Sequence, residues 1–309
     1  MTRSRNAALF VLLAGLWGTA FVAIKAGLAY LPPVLFAAVR YDVAGLLMLG
    51  SAAWATDRWR PRTRPEWLLV GVAGTLLIAA YHAFLFVGEQ GTTSAAAAVV
   101  VSLSPVLTTG FARVFLPTER LTVPGLVGLA LGLVGVAVLA APDPATLLAG
   151  DVVAEGLVFL AVLSFSLGSV LTRRLETDLP LPTMEAWAML VGAVQMHAVS
   201  TALPGEALAA VTLSVEAVVA VAYLSVGASA VGFLVYFDLL DRLGPVEINL
   251  VSYVAPVFAA AVGFLWLGEV VDAATVGGFV LIVAGFALLK REALAATVPR
   301  LRAALGRDR

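Results

Sequence analysis

Several charged and titratable side chains in this sequence stand inside long apolar runs, where they need a reason to be. Lys25, Arg40 and Asp42 each interrupt such a run, and His82 sits in another. A charge near the centre of a bilayer costs at least about 2.5–3.5 kcal/mol even on the lenient insertion scale. Two readings are open for the cations. They attract an anionic group of a small molecule, such as a carboxylate, or they serve the structure. Lys25 is about five residues from the end of its run, so its long stem can also snorkel to the interface. Arg40 lies about 9 Å inside its run at ~1.5 Å rise per residue. Asp42 is two residues from Arg40 and does not face it directly; it reads as part of a structural ion pair or a helix-end contact. His82 has the chemistry to bind a ligand or accept a proton near neutral pH, and the alternative is a packed, satisfied imidazole. His197 has no comparable polar company and reads as structural.

Uncharged polar residues recur at helical spacing. Thr75, His82 and Glu89 fall at i, i+7 steps, with Tyr81 beside His82, and predict one polar face. Ser94, Ala98, Ser102, Pro105 and Thr109 line one side of the next run. Ser225, Ser229, Gly232 and Tyr236 line a side of another, Asn249, Ser252, Tyr253 and Pro256 a third, and Ser166 and Ser169 flank Gly168. Singly, such hydroxyls allow close helix packing. Collectively they predict a water-accessible surface. Asn249 and Tyr236 carry large polar groups that are costly to bury without partners.

The elements that must position these residues follow from composition. The 309 residues are 61% hydrophobic and 13% charged, against roughly 45–50% and 25% in soluble domains. That excludes most soluble folds and disorder, and leaves a polytopic membrane protein. A net charge of −1 speaks against nucleic acid. With no cysteine and two histidines, disulfides, thiolate chemistry and a histidine-rich metal site are excluded, and no cofactor is expected. A spanning helix needs about 20 apolar residues, and lipid admits little else. Ten runs meet that pattern: 7–30, 34–54, 67–88, 93–115, 123–141, 152–171, 182–203, 215–238, 246–267 and 273–289. The first exceeds a signal-peptide core and reads as a span. The segments between them are short, which leaves no room for a soluble domain.

With the N-terminus placed inside, 17 of the 19 basic residues fall in cytoplasmic segments and none in outer loops; Lys25 and Arg40 are the remainder. That asymmetry predicts both termini inside a plasma membrane. The acidic residues Glu89, Asp143, Asp151, Glu206, Glu269 and Asp272 fall outside. The two halves also resemble one another. Pro105, Glu119, Gly128 and Gly135 are matched by Pro256, Glu269, Gly278 and Gly285, with Glu-to-Gly spacings of 9 and 16 in both. Five spans is an odd number, so the second half enters with opposite polarity. The expected organisation is a repeat over 1–141, an inverted repeat over 150–290 and a basic cytoplasmic tail over 291–309. Inverted repeats are built into many secondary transporters, with substrate held between the halves. Pro105 and Pro256, each mid-span, predict a shared kink or hinge. The glycines of the fifth and tenth spans predict close packing, within the chain or between two copies.

On Trp17-Gly18, Arg40, the two prolines, Glu119, Glu269 and the glycine pairs after them, the chain resembles the EamA-type permeases of the drug/metabolite transporter superfamily. The resemblance covers about residues 7–290. It implies ten helices, cytoplasmic termini, and a cavity lined by the first, third, fourth, sixth, eighth and ninth spans. It also implies transport of a small metabolite, often export of amino acids or related compounds. The second half departs from the first at Arg40, where Ala186 to Ala188 stand in its place. The candidate substrate-binding set is Trp17, Lys25, Arg40, Tyr81, His82, Ser102, Ser229, Tyr236, Asn249 and Tyr253. The expected assembly is a monomer or homodimer in the bilayer. No GxxxxGK[ST] occurs, so the chain carries no nucleotide motor of that kind. A membrane enzyme on a lipid-like substrate would need a convergent acid–base set, which nothing here spaces as a motif. A non-transporting scaffold would need larger loops.

Overall fold

The computed structural model describes residues 2–115, 123–140, 150–175, 177–206, 208–243, 248, 251–289 and 291. Among them the regular structure is helical, in ten rods that match the predicted runs to within a few residues. They are α1 (Thr2–Gly27), α2 (Pro33–Ala55), α3 (Arg64–Glu89), α4 (Ser94–Phe115), α5 (Val123–Ala140), α6 (Gly150–Arg174), α7 (Leu181–Ala202), α8 (Val215–Ala222, Tyr223–Val231 and Gly232–Leu243 in continuous register), α9 (Val251–Leu267) and α10 (Ala273–Leu289). A single short 3₁₀ turn, Leu208–Ala210, joins α7 to α8. Six rods are long and apolar enough to cross a membrane by themselves: α1, α2, α3, α4, α6 and α8. Shorter apolar helices lie in α5, α9 and α10.

Local chemistry sets the ends. Thr63 and Glu66 form a reciprocal capping box at the start of α3. Thr93 caps α4 and Ser214 caps α8 through the backbone N–H three residues on. Prolines at the first turn open α2 and α7, where a missing N–H does no harm. α9 ends at Gly268, whose φ of 67° is the left-handed value glycine tolerates. The next residue, Glu269, closes the helix with an N–H to the Gly263 carbonyl at 3.1 Å.

Packing follows the internal repeat. α2 packs on α7, α4 on α9 and α5 on α10, each a helix with its own counterpart five places on. The other main contacts exchange under the same rule: α1–α9 with α6–α4, α3–α6 with α8–α1, and α2–α8 with α7–α3. This is the pattern a pseudo-two-fold relation between halves produces. The glycines of α5 and α10 lie against one another within the chain. A Cβ on Gly135 would sit 2.7 Å from the Gly278 carbonyl, and one on Gly285 2.5 Å from the Gly128 carbonyl.

Two features depart from the sequence reading. The fourth run is not one rod: the α-helix breaks at Ser102–Leu103 and resumes at Ser104. Pro105 has no N–H to offer Val101, and the Ser104 hydroxyl donates to that carbonyl instead, at 2.6 Å. Pro256 lies inside an uninterrupted α9, so the two prolines shape their helices differently. The second departure was not foreseen at all. α3 and α8 each contain a π-helical stretch, Ala73–Ala80 and Tyr223–Val231, in corresponding places. Wider turns shift the register of everything downstream, by roughly 100° per added residue at 3.6 residues per turn. The expected Thr75–His82–Glu89 face is therefore divided. His82 and Glu89 are buried, while Thr75 is exposed and receives a hydrogen bond from Gln195.

Candidate functional site

The π stretches are held by their neighbours. In α1 the sequence Leu13-Ala14-Gly15-Leu16-Trp17 corresponds to Leu160-Ala161-Val162-Leu163-Ser164 in α6. The Trp17 indole N–H donates to the Ala228 carbonyl, 3.1 Å, in the π stretch of α8. The Ser164 hydroxyl donates to the Leu76 carbonyl, 2.8 Å, in the π stretch of α3. The same position in each half thus satisfies a carbonyl of the irregular turn, as a buried acceptor requires. Gly18, next to Trp17, lets α1 and α9 approach closely: a Cβ there would lie 2.7 Å from the Phe258 Cβ.

The two irregular helices, α3 and α8, enclose the polar centre with α2. The Arg40 guanidinium is buried and donates through Nε and Nη2 to the Ser229 hydroxyl, at 3.2 and 3.1 Å. Its Cζ is 4.9 Å from the Tyr41 ring centre and 6.0 Å from that of Phe86. Ser225 donates to the Arg40 carbonyl at 3.0 Å. Among the described residues no carboxylate lies within ion-pairing distance of the guanidinium. A guanidinium has five N–H donors, and one hydroxyl oxygen accounts for two of them.

His82 is fixed beside it. Its Nδ1 lies 2.9 Å from the Ile78 carbonyl, and its Nε2 2.6 Å from the Tyr41 hydroxyl. A carbonyl only accepts, so Nδ1 carries a proton, while the Tyr41 hydroxyl can donate to Nε2 or accept from it. Tyr81 packs edge-on against the His82 ring at 4.5 Å and against Phe165 at 5.2 Å. His82 is thus a doubly hydrogen-bonded imidazole. It holds the hydroxyl of Tyr41, whose ring lies beside the Arg40 guanidinium.

Of the residues singled out from sequence, Arg40, Tyr81, His82 and Ser229 come together at this centre. Trp17 and Tyr236 form an adjoining aromatic group with Phe233, Trp17 and Tyr236 being 5.5 Å apart. The others lie elsewhere. Lys25 is at one end of the bundle, where its ammonium donates to the carbonyls of Glu89 (2.7 Å), Gln90 (3.1 Å) and Thr92 (2.8 Å). Ser102 donates to Val99 of its own helix at 2.6 Å. Tyr253 packs on Phe286, and its hydroxyl is buried without a partner. Asn249 and Glu119 lie outside the described residues. Asp42 and His197 pair with each other at 2.7 Å across α2 and α7, both part-exposed.

The hydroxyl stripes are largely buried, with Ser169 and Ser252 half-buried. Ser102, Ser166, Ser225 and Ser229 are all fully buried. Sequence reasoning overlooked Tyr41 and Ser225. Tyr41 had a signal, a phenol adjacent to an intramembrane arginine. Ser225 stood in a stripe and was passed over for Ser229, one turn on.

The sequence profile of the EamA-like transporter family matches residues 5–141 and again 153–291. The chain belongs to that family. It is 30% identical over 256 residues to the uncharacterized inner membrane transporter YedA of Escherichia coli, covering 80% of this chain and 78% of that protein. It is 29% identical to a probable terminal-alkyne amino-acid exporter of Streptantibioticus cattleyicolor, over 90% and 91% of the two chains. It is 27% identical to a probable amino-acid metabolite efflux pump of Salmonella typhimurium, over 90% and 92%. A solved structure described only as a protein crystal structure shares the fold, with a TM-score of 0.63 at 24% identity over 93% of this chain and 97% of that one. This chain is accordingly a membrane transporter with a two-repeat helical fold.

Proposed function

We propose that this EamA-family protein is a secondary transporter that exports an amino acid or a related carboxylate-bearing metabolite across the cytoplasmic membrane by alternating access. The carrying observation is Arg40: a buried cation with no carboxylate partner among the described residues, seated where α2, α3 and α8 meet. An isolated charge is costly to bury, and an anionic substrate group arriving at the free N–H edges would offset that cost. The amino-acid exporters among its relatives support the substrate class. This reading needs no catalytic set: the His82 imidazole is engaged by the Ile78 carbonyl and the Tyr41 hydroxyl, and the Ser229 hydroxyl by Arg40.

The reading includes ten crossings and two five-helix halves of opposite polarity, 1–141 and 150–290. Both termini and the basic 291–309 tail lie in the cytoplasm. The exchange rule in helix packing supports it, since rocking between two related halves needs interchangeable interfaces. The functional unit is a monomer or homodimer that handles no nucleic acid. Comparing the metabolites of medium and cells with and without expression tests the substrate class: amino acids or their derivatives should accumulate in the medium, and an unchanged profile overturns export. Topology has its own test, helped by the absence of native cysteine. A cysteine within 142–150 should react with an impermeant reagent on intact cells, and one within 55–66 should not.

A further inference from the structure

The acidic residues at the Lys25 end of the bundle divide into two kinds. Glu206 accepts from the N–H groups of Val34 and Leu35, at 3.0 and 2.9 Å, at the start of α2. Glu269 accepts from the Ser94 N–H at 3.1 Å with each carboxylate oxygen, and from the Ser94 hydroxyl at 3.2 Å. Both carboxylates cap a helix N-terminus, where the dipole favours negative charge. Glu89 has the opposite surroundings. It is 0% exposed, and neither carboxyl oxygen has a hydrogen-bond partner. It sits at the C-terminus of α3, the end that disfavours an anion. Its neighbouring cation does not reach it. An ammonium has three hydrogens, and Lys25 makes three bonds to main-chain carbonyls, one of them Glu89's own.

The charged groups that face Glu89 are Lys25 from α1, Arg40 from α2 and Glu269 from the α9–α10 turn. α6 packs on the same end of α3, where a Cβ on Gly88 would meet the Ala154 carbonyl and Val158, and Glu155 follows Ala154 in the chain. None of these gives the Glu89 carboxyl a donor. An ionised carboxylate buried in this way would lack both solvation and hydrogen bonds, so the closed arrangement holds the neutral acid.

We propose that Glu89 is a proton-binding site: one proton occupies it while this end of the bundle is closed and leaves to the outer solvent when the end opens. Opening admits water to Glu89 and frees Lys25 from the carbonyls of 89, 90 and 92. The ionised carboxylate and the freed ammonium are then partners. The ligand is a proton, and its release and rebinding tie the outer gate to external pH. The assignment rests on the transporter reading for which end is outer and for the opening motion itself.

The test uses opening rather than transport as its readout. Leu85 is buried one turn before Glu89, so Leu85→Cys reports access from that end. Its reaction with an impermeant thiol reagent is measured in liposomes from pH 5 to 9. Each rate is divided by that of the unfolded protein at the same pH, which removes titration of the thiol. The ratio should rise with pH, by up to about tenfold per unit, the slope of one proton released on opening. Adding Glu89→Gln should make it low and flat, whereas Glu269→Gln and Glu155→Gln should keep the slope. The same slope in Glu89→Gln, or none in the parent, overturns the proposal. Infrared spectra of the otherwise native protein cover the case in which Glu89→Gln does not fold. A neutral-acid carbonyl band should be present at neutral pH, vanish on alkalinisation, and shift in Glu89→Asp. A band that is missing, or unmoved in Glu89→Asp, overturns the proposal as well. A pH-gated protein that moves no metabolite would overturn the transport reading and leave the proton site standing.

Discussion

Replacing Arg40 with methionine is expected to abolish transport and leave the protein at least as stable as the parent. The two effects separate because they have different sources. Hydrogen bonds to a charged group contribute about 1.5–3 kcal/mol each, so losing the guanidinium should cost roughly 10- to 150-fold in apparent affinity for each contact a carboxylate substrate makes. Stability moves the other way. The guanidinium is buried against a serine hydroxyl and two aromatic rings, with no carboxylate at ion-pairing distance among the described residues. Replacing a buried charge by an apolar side chain of similar reach is often neutral or stabilising, by about 1–4 kcal/mol. Arg40→Lys should be intermediate in transport, since a point charge replaces a planar fork. Thermal unfolding in detergent, with uptake or efflux of the compound that metabolite profiling identifies, gives both numbers. Unchanged transport by Arg40→Met would remove arginine from the site, and a large loss of stability would make its role structural.

Glu269→Ala should destabilise the protein and open the Lys25 end of the bundle. Three pieces of local chemistry converge on this side chain. Gly268 ends α9 in the left-handed conformation, and the Glu269 N–H closes the turn on Gly263. Gly263 leaves the space the carboxylate occupies, since a Cβ there would lie 2.5 Å from Oε2. The carboxylate then caps α4, which belongs to the other half of the molecule. Removing such a cap costs about 0.5–2 kcal/mol. Because the contact joins the halves, that loss falls on the closed arrangement and not on an open one. The expected result is a lower unfolding temperature and roughly 2- to 30-fold faster labelling of Leu85→Cys, the same energy expressed as a population shift. Glu269→Gln keeps one acceptor oxygen and loses the charge favoured at a helix N-terminus, so it should fall between. Labelling as slow as in the parent would show that Glu269 does not hold this end shut.

Much of the fold is legible without coordinates, because the rules that make it are local. An apolar run of spanning length in lipid has only the helix open to it, so the six rods apolar enough to cross by themselves, and the apolar helices of α5, α9 and α10, lie in runs that hydropathy marks. The repeat was visible in Pro105, Glu119, Gly128 and Gly135 against Pro256, Glu269, Gly278 and Gly285. The glycines among these need only shape to explain them. The candidate site was partly visible, because an arginine or histidine in an apolar run declares itself by its cost. What periodicity misplaced was the face each residue presents. Thr75 was assigned to the side of His82 by a count of seven, and the π stretch of α3 invalidates that count. Nothing in Ala-Gly-Thr-Leu-Leu-Ile-Ala-Ala announces a wider turn. What marks it lies on another helix, where the Ser164 hydroxyl of α6 donates to the Leu76 carbonyl.

Sequence alone therefore determined the solvent this protein lives in, its helices, its two related halves and its family, since each follows from composition, run length or spacing along the chain. Tertiary structure decided which polar groups are satisfied. Lys25 and Arg40 look alike in sequence, two cations in apolar helices, yet one is saturated by the carbonyls of α3 and the turn after it, and the other keeps open donors at the centre. Glu89 and Glu269 look alike as well, two carboxylates after apolar runs. One lies at a helix C-terminus with no donor, and the other caps an N-terminus in the opposite half. A residue's type is written in the chain, but the partners that set its chemistry come from helices dozens to nearly two hundred residues away.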